Sequence, residues 1–164
     1  MTKPIPSGFH TITPHMVVPD AAKAIEFYKK ALGAQETERF MTPDGQKVMH
    51  AELKVGDSIL MLGSEHPPTC VSPKARGGTS VSLHLYVENA DAAFDRAVKA
   101  GCTVKMPMAD QFWGDRYGQV ADPFGHEWSF ATRKQDLTKE QLAANAKAFF
   151  AKMQKQGAPE MATV

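Results

Sequence analysis

Hydrophobic and polar positions along the chain fall into the same pattern twice. An extended apolar stretch runs from Ile12 to Val18, and another from Val81 to Val87. Each leads to Asp20 or Asn89, residues whose side-chain oxygen accepts from a free amide in the first helical turn. The spacing then becomes that of an amphipathic helix, with Ala24, Ile25 and Tyr28 on one face, or Ala93, Phe94 and Ala97. Gly33 and Gly101 stop the helices. Short strand-like segments follow, punctuated by Pro43-Asp44-Gly45 and Val55-Gly56-Asp57 in the first half and Asp122-Pro123-Phe124-Gly125 in the second. The predicted order is β-α-β-β-β, twice.

Laid on itself with an offset of 69, His15–Ala31 falls on His84–Ala100. Six of those 17 positions are identical: His15/His84, Val18/Val87, Ala21/Ala90, Ala24/Ala93, Lys30/Lys99 and Ala31/Ala100. The same offset carries Gly56 onto Gly125. Two diverged copies of one unit account for this. The expected fold class is α+β: tandem βαβββ modules, with mixed sheets curled around a shared cavity, plus a C-terminal helix. The first module spans 9–63, a Pro- and Gly-rich linker 64–79, the second module 80–133 and the last helix 134–156. Residues 157–164 read as a disordered tail. Thr138-Lys-Glu-Gln141 is a capping box opening the last helix. Its stripe of Leu142, Ala146, Phe149, Phe150 and Met153 packs across the chain's own sheet or on another subunit.

Composition narrows function more than fold. With 19 Lys plus Arg against 18 Asp plus Glu, there is no field to attract nucleic acid or an anionic membrane. No apolar run approaches the ~18–20 residues a membrane helix needs, and Met1–His10 lacks the apolar core of a signal peptide. The expected location is the cytoplasm. Cys70 and Cys102 stand in no metal or redox spacing and read as reduced, unremarkable thiols. No phosphate-binding glycine loop, nucleophile elbow or HExxH helix is present.

The strand leading into Asp20-Ala-Ala-x-Ala-Ile-Glu-Phe-Tyr28, the tandem units and the closing Asp122-Pro-Phe-Gly125 turn resemble the vicinal-oxygen-chelate superfamily of glyoxalases, bleomycin-resistance proteins and extradiol dioxygenases. Thr13-Pro-His15, His50-Ala-Glu-Leu53, Gly56-Asp-Ser-Ile-Leu-Met-Leu62 and Gln111-Phe-Trp-Gly-Asp-Arg-Tyr-Gly118 resemble its PhnB-like branch. The resemblance spans about residues 9–133. It implies metal ligands from the first and last strands of each module. Those positions hold Thr13, Ser82, Ser129 and Met61 (or Leu60, if the hairpins match in length). None offers an imidazole or a carboxylate, so neither metal nor other cofactor is expected.

The resemblance therefore implies a small-molecule-binding homodimer that binds or sequesters a metabolite or drug. Expected in its cavity are Thr13, His15, Met61, Ser82, His84, Trp113, Arg116, Glu127 and Ser129. His15 and His84 are one position in two modules, each two residues past a lost ligand, and so face inward. Trp113 and Arg116, beside Phe112 and Tyr117, offer an aromatic wall and a guanidinium; the other reading puts Trp113 in the core and Arg116 in a surface ion pair. A ligand should perturb Trp113 and leave Trp128 silent. His50 and Glu52 share a strand face, while His10, His66 and His126 fall in solvated connections. The alternative function is a lyase, isomerase or dioxygenase-type enzyme using His15 and His84. If the first and last strands run antiparallel, those histidines and Glu127 reach one height as a displaced metal triad.

Overall fold

The computed structural model describes residues 3–155. The first unit comprises β1 (His15–Val18), α1 (Ala21–Leu32), β2 (Gln35–Met41), β3 (Val48–Val55) and β4 (Ser58–Ser64). The second comprises β5 (Ser82–Tyr86), α3 (Ala90–Ala100), β6 (Thr103–Asp110), β7 (Asp115–Ala121) and β8 (Glu127–Arg133). A short α2 (Pro73–Arg76) lies between them and α4 (Lys139–Lys155) follows. The tail expected over 157–164 lies outside the described residues.

Each unit builds one four-stranded mixed sheet, in the orders β1-β4-β3-β2 and β5-β8-β7-β6. The repeat is thus structural as well as sequential. The first and last strands of each module run parallel, not antiparallel, pairing His15 with Met61 and His84 with Ser129. A helix crosses over between first and second strands, and two antiparallel hairpin steps bring the last strand back beside the first.

The predicted caps form. Asp20 accepts from the Lys23 amide and Asn89 from the Ala92 amide, while Gly33 ends α1 with φ 68°, a left-handed turn that favours glycine. A second tie was not predicted. The Ala21 amide donates to Ser64 Oγ and the Ala90 amide to Thr132 Oγ1, at 3.1 and 2.8 Å. In both modules a hydroxyl of the last strand thereby satisfies an amide of the first helical turn.

The apolar faces of α1 and α3 meet in one core with the helix-side residues of both sheets. Asp122, only 6% exposed, is its polar joint. Oδ2 accepts from Tyr28 Oη at 2.6 Å and from Trp128 Nε1 at 2.8 Å. Oδ1 accepts from the Phe124 and His126 amides. The Asp-Pro-Phe-Gly turn therefore fastens one module to the other. His126 is not simply solvated: half-buried, it places Nε2 3.0 Å from the Val17 carbonyl of the first module.

Within 64–79 the chain is ordered, with a His66–Cys70 bridge and α2. The capping box at α4 forms in both directions, Gln141 amide to Thr138 Oγ1 and Thr138 amide to Gln141 Oε1. Phe149 and Phe150 meet Phe112, yet no residue of α4 is buried.

Candidate ligand-binding faces

Strand alternation sorts the chemistry of each sheet onto the face away from the helices. In the second sheet, register aligns Ser82, His84 and Tyr86 of β5 with Glu127, Ser129 and Ala131 of β8. It then aligns those three with Ala121, Gln119 and Tyr117 of β7. The opposite parity, including Trp128 and Phe130, enters the core.

A connected set of side chains covers this open face. His84 Nδ1 lies 2.8 Å from Ser129 Oγ. The His84 ring meets Tyr86 edge-on at 4.6 Å and lies nearly parallel to Tyr117, with centroids 5.9 Å apart. Gln119 donates to the Tyr117 hydroxyl at 2.6 Å. Asp115, 5% exposed, accepts from Tyr86 Oη and from Trp113 Nε1, and the first of these bonds raises the Tyr86 phenol above its ordinary value. Trp113 packs edge-on to Tyr117 at 5.5 Å. The sequence named His84, Ser129 and Trp113, with Tyr117 as an aromatic neighbour, but not Tyr86, Asp115 or Gln119. Period-two spacing was the signal that could have found them: one step from His84 reaches Tyr86, and one step either way from Tyr117 reaches Asp115 and Gln119.

The first sheet carries a different face. His15 and His50 meet ring to ring at 5.5 Å, and His50 Nε2 stands 3.6 Å from Glu52 Oε1. Partial loss of water around its ring, then the neighbouring His50, lowers the His15 pKa from its ordinary 6.5. Met61 occupies the position equivalent to Ser129, since both stand opposite the histidine of their first strand; that selects Met61 over Leu60 in the repeat.

Arg116 departs from the aromatic wall. It follows the parity of Gly118, whose missing side chain makes room for Phe94 of α3, and so faces the helix. There it clasps Asp91 through Nε and Nη2, at 2.7–3.2 Å, with Asp110 3.5 Å away. The ion-pair reading is the correct one for this residue.

The displaced triad does not assemble. Parallel pairing puts Glu127 opposite Ser82 and Ser129 opposite His84, so a two-residue step moves the members apart rather than together. His15 belongs to the other sheet. No cluster of three His, Cys, Asp or Glu side chains that could hold a metal occurs among the described residues. The positions where the resemblance implies metal ligands fit a metal no better. Thr13 donates to the His10 carbonyl and Ser129 is engaged with His84, while Ser82 and Met61 add only a hydroxyl and a thioether. Burial, and then Asp122, push the Cys102 thiol up to about 12, which leaves it protonated and inert.

Between the modules lies a cavity of about 620 Å³, bordered by residues of both. Of the nine expected cavity residues, His84 borders it. Trp128 also forms part of its wall.

A family model described as the glyoxalase/bleomycin resistance protein/dioxygenase superfamily matches residues 8–130. The chain belongs to that superfamily. An uncharacterised protein of Mycobacterium tuberculosis is 45% identical to it over 137 residues, 81% of this chain and 80% of the relative. The superfamily fold recurs in the crystal structure of TioX from Micromonospora sp. ML1, at 27% identity and TM-score 0.59, covering 79% of this chain and all of that one. A PhnB protein from Bacillus cereus, 18% identical over 75% of this chain and 99% of its own, shares the fold at TM-score 0.56.

Proposed function

We propose that this superfamily member binds or sequesters a planar small molecule, as a homodimer, on the open face of its second sheet. The observation that carries this reading is the His84–Tyr86–Tyr117–Trp113 surface, backed by Ser129, Gln119 and Asp115. Aromatic side chains held by hydrogen bonds lose little freedom on binding, and the polar groups between them orient a ligand. His84 is the one imidazole of this face, Asp115 is engaged with Tyr86 and Trp113, and no three His, Cys, Asp or Glu side chains converge there among the described residues, which favours binding over the metal-assisted chemistry of related folds. The open faces of both sheets, uncovered within one chain, support the homodimer.

The test is a thermal-shift panel of planar heterocycles, aromatic carboxylates and drugs, followed by titration of any hit against two variants. Binding here should weaken about tenfold in Tyr117→Ala, which removes a stacking surface. The hit should also perturb wild-type fluorescence more than that of Trp113→Phe. A hit that binds both variants like wild type sinks this site.

The same His84–Ser129 contact supports the second reading, an enzyme acting through an imidazole. The Ser129 hydroxyl fixes the ring, and among the described residues Nε2 has no hydrogen-bond partner. Turnover lost in His84→Gln, with ligand binding kept, would favour that reading.

A further inference from the structure

His84 and Tyr86 of β5 alternate with the less exposed Leu83 and Leu85, and all four border the cavity between the modules along this edge strand. At about 620 Å³ that cavity falls within the range of small-molecule sites. Leu32 and Leu60 of the first module close it from one side, and Trp128 and Phe130 of the second from another. The walls are apolar where they are deepest: Leu60, Trp128 and Phe130 are each no more than 5% exposed.

One cation stands among these groups. Arg96 of α3 borders the cavity, and its Nε donates to the Ala31 carbonyl of α1 at 3.0 Å. That bond fixes the guanidinium across the seam between the modules, and among the described residues neither terminal nitrogen has a hydrogen-bond partner. Among the described residues no carboxylate lies within ion-pair distance of it. Asp57, the single acidic residue of the wall, accepts instead from its neighbour Ser58. Arg96 itself is exposed to solvent, so an anion beside it would stay hydrated while an attached apolar chain left water.

We propose that the cavity between the modules is a second binding site, for an aliphatic ligand ending in a single carboxylate, with Arg96 holding the carboxylate. A planar fork of N–H donors matches two carboxylate oxygens. The leucines and Trp128 accept the chain through burial of its surface. His84 and Tyr86 of the edge strand β5 border this cavity as well as the open face, but Arg96, Trp128 and Phe130 line the cavity alone, and Trp113 and Tyr117 are not part of its wall.

The test uses the full chain carrying Trp113→Phe, which leaves Trp128 as its only tryptophan. The probe is ω-bromoundecanoate, whose bromine quenches a fluorophore on contact, compared with ω-bromoundecanol. The acid should quench Trp128 saturably, and undecanoate without bromine should reverse the effect. Adding Arg96→Met should weaken the acid about tenfold, the effect of one charged hydrogen-bonding partner, and leave the alcohol unchanged. Adding Tyr117→Ala should change neither, which separates this site from the open face. Absence of quenching overturns the proposal, as does equal binding of acid and alcohol that ignores Arg96→Met. Quenching that vanishes as the protein self-associates also overturns it, by showing that a second copy fills the space.

Discussion

Asp122 shows how much one side chain holds. Its four hydrogen bonds span both modules, with Oδ2 serving Tyr28 and Trp128 and Oδ1 serving two backbone amides. Asp122→Asn keeps the shape but turns an N–H pair against donors on one side. Two lost partners at ~1–3 kcal/mol each predict a loss of roughly 2–6 kcal/mol in urea unfolding. Tyr28→Phe, which removes a single donor, should cost about 1 kcal/mol beside it. His15 gives a pH prediction. Its folded pKa is lowered, so its contribution to stability is present above 6.5 and is lost as pH falls through the folded value. NMR titration should place its midpoint below 6.5, and His50→Ala should move it upward; a midpoint indifferent to His50 would refute the coupling. A two-residue step from the ligand positions that the resemblance implies gave His15 and His84 one parity with those positions, because strand alternation is local, but it put both in a shared cavity, and they belong to separate sheets. It could not say that Arg116 has Asp91 within reach, or that Trp128 borders a cavity, since both depend on how α3 and the first module pack.

At the level of elements, caps and amphipathic spacing were legible and strand direction was not. Period-two alternation states which face a residue occupies, but it is the same for a parallel and an antiparallel neighbour. The parallel pairing of β1 with β4 and of β5 with β8 follows from the crossover helix, and it dissolves the triad. Two glycines reveal how tightly these strands are packed. A Cβ on Gly63 would stand 2.5 Å from the Met49 carbonyl oxygen, while one on Gly118 would meet Met108 Sδ at 2.6 Å and Phe94 at 3.0 Å. A methionine side chain gives way more readily than backbone. Gly63→Ala should therefore destabilise more than Gly118→Ala, each within about 1–3 kcal/mol. Thermal unfolding of the pair checks the order, and the reverse ranking would contradict it. Ser64→Ala should cost about 1 kcal/mol, because one amide of the first helical turn is then left without its partner, and Thr132→Val should cost more, because that hydroxyl also donates to the Val87 carbonyl.

For the whole molecule, the repeat in the sequence announced two modules, and two sheets of identical strand order are what folds. What the repeat could not announce is how the modules face each other. Within one chain they join through α1 and α3, and the open faces of the sheets remain uncovered. Tyr86 is 65% exposed, Phe40 49% and Met49 59%. Light scattering of the full chain should return twice the mass of 17.9 kDa; a monomer at micromolar concentration would contradict the homodimer. Truncation after Arg133, which removes α4 with its exposed Phe149 and Phe150, should weaken self-association if that helix lies in the contact.

The seam between the modules is made of few bonds: Tyr28 to Asp122, Arg96 to the Ala31 carbonyl, and His126 to the Val17 carbonyl, around interlocked apolar side chains. Every sheet hydrogen bond closes inside its own half. Nothing in that seam distinguishes a half carried on the same polypeptide from the identical half of another copy. The same chemistry that folds one chain therefore also licenses reciprocal exchange, in which two polypeptides trade halves across residues 65–81 and each completes the other. Mixing two differently labelled populations would reveal that trade as hybrid species forming at the rate at which the seam opens.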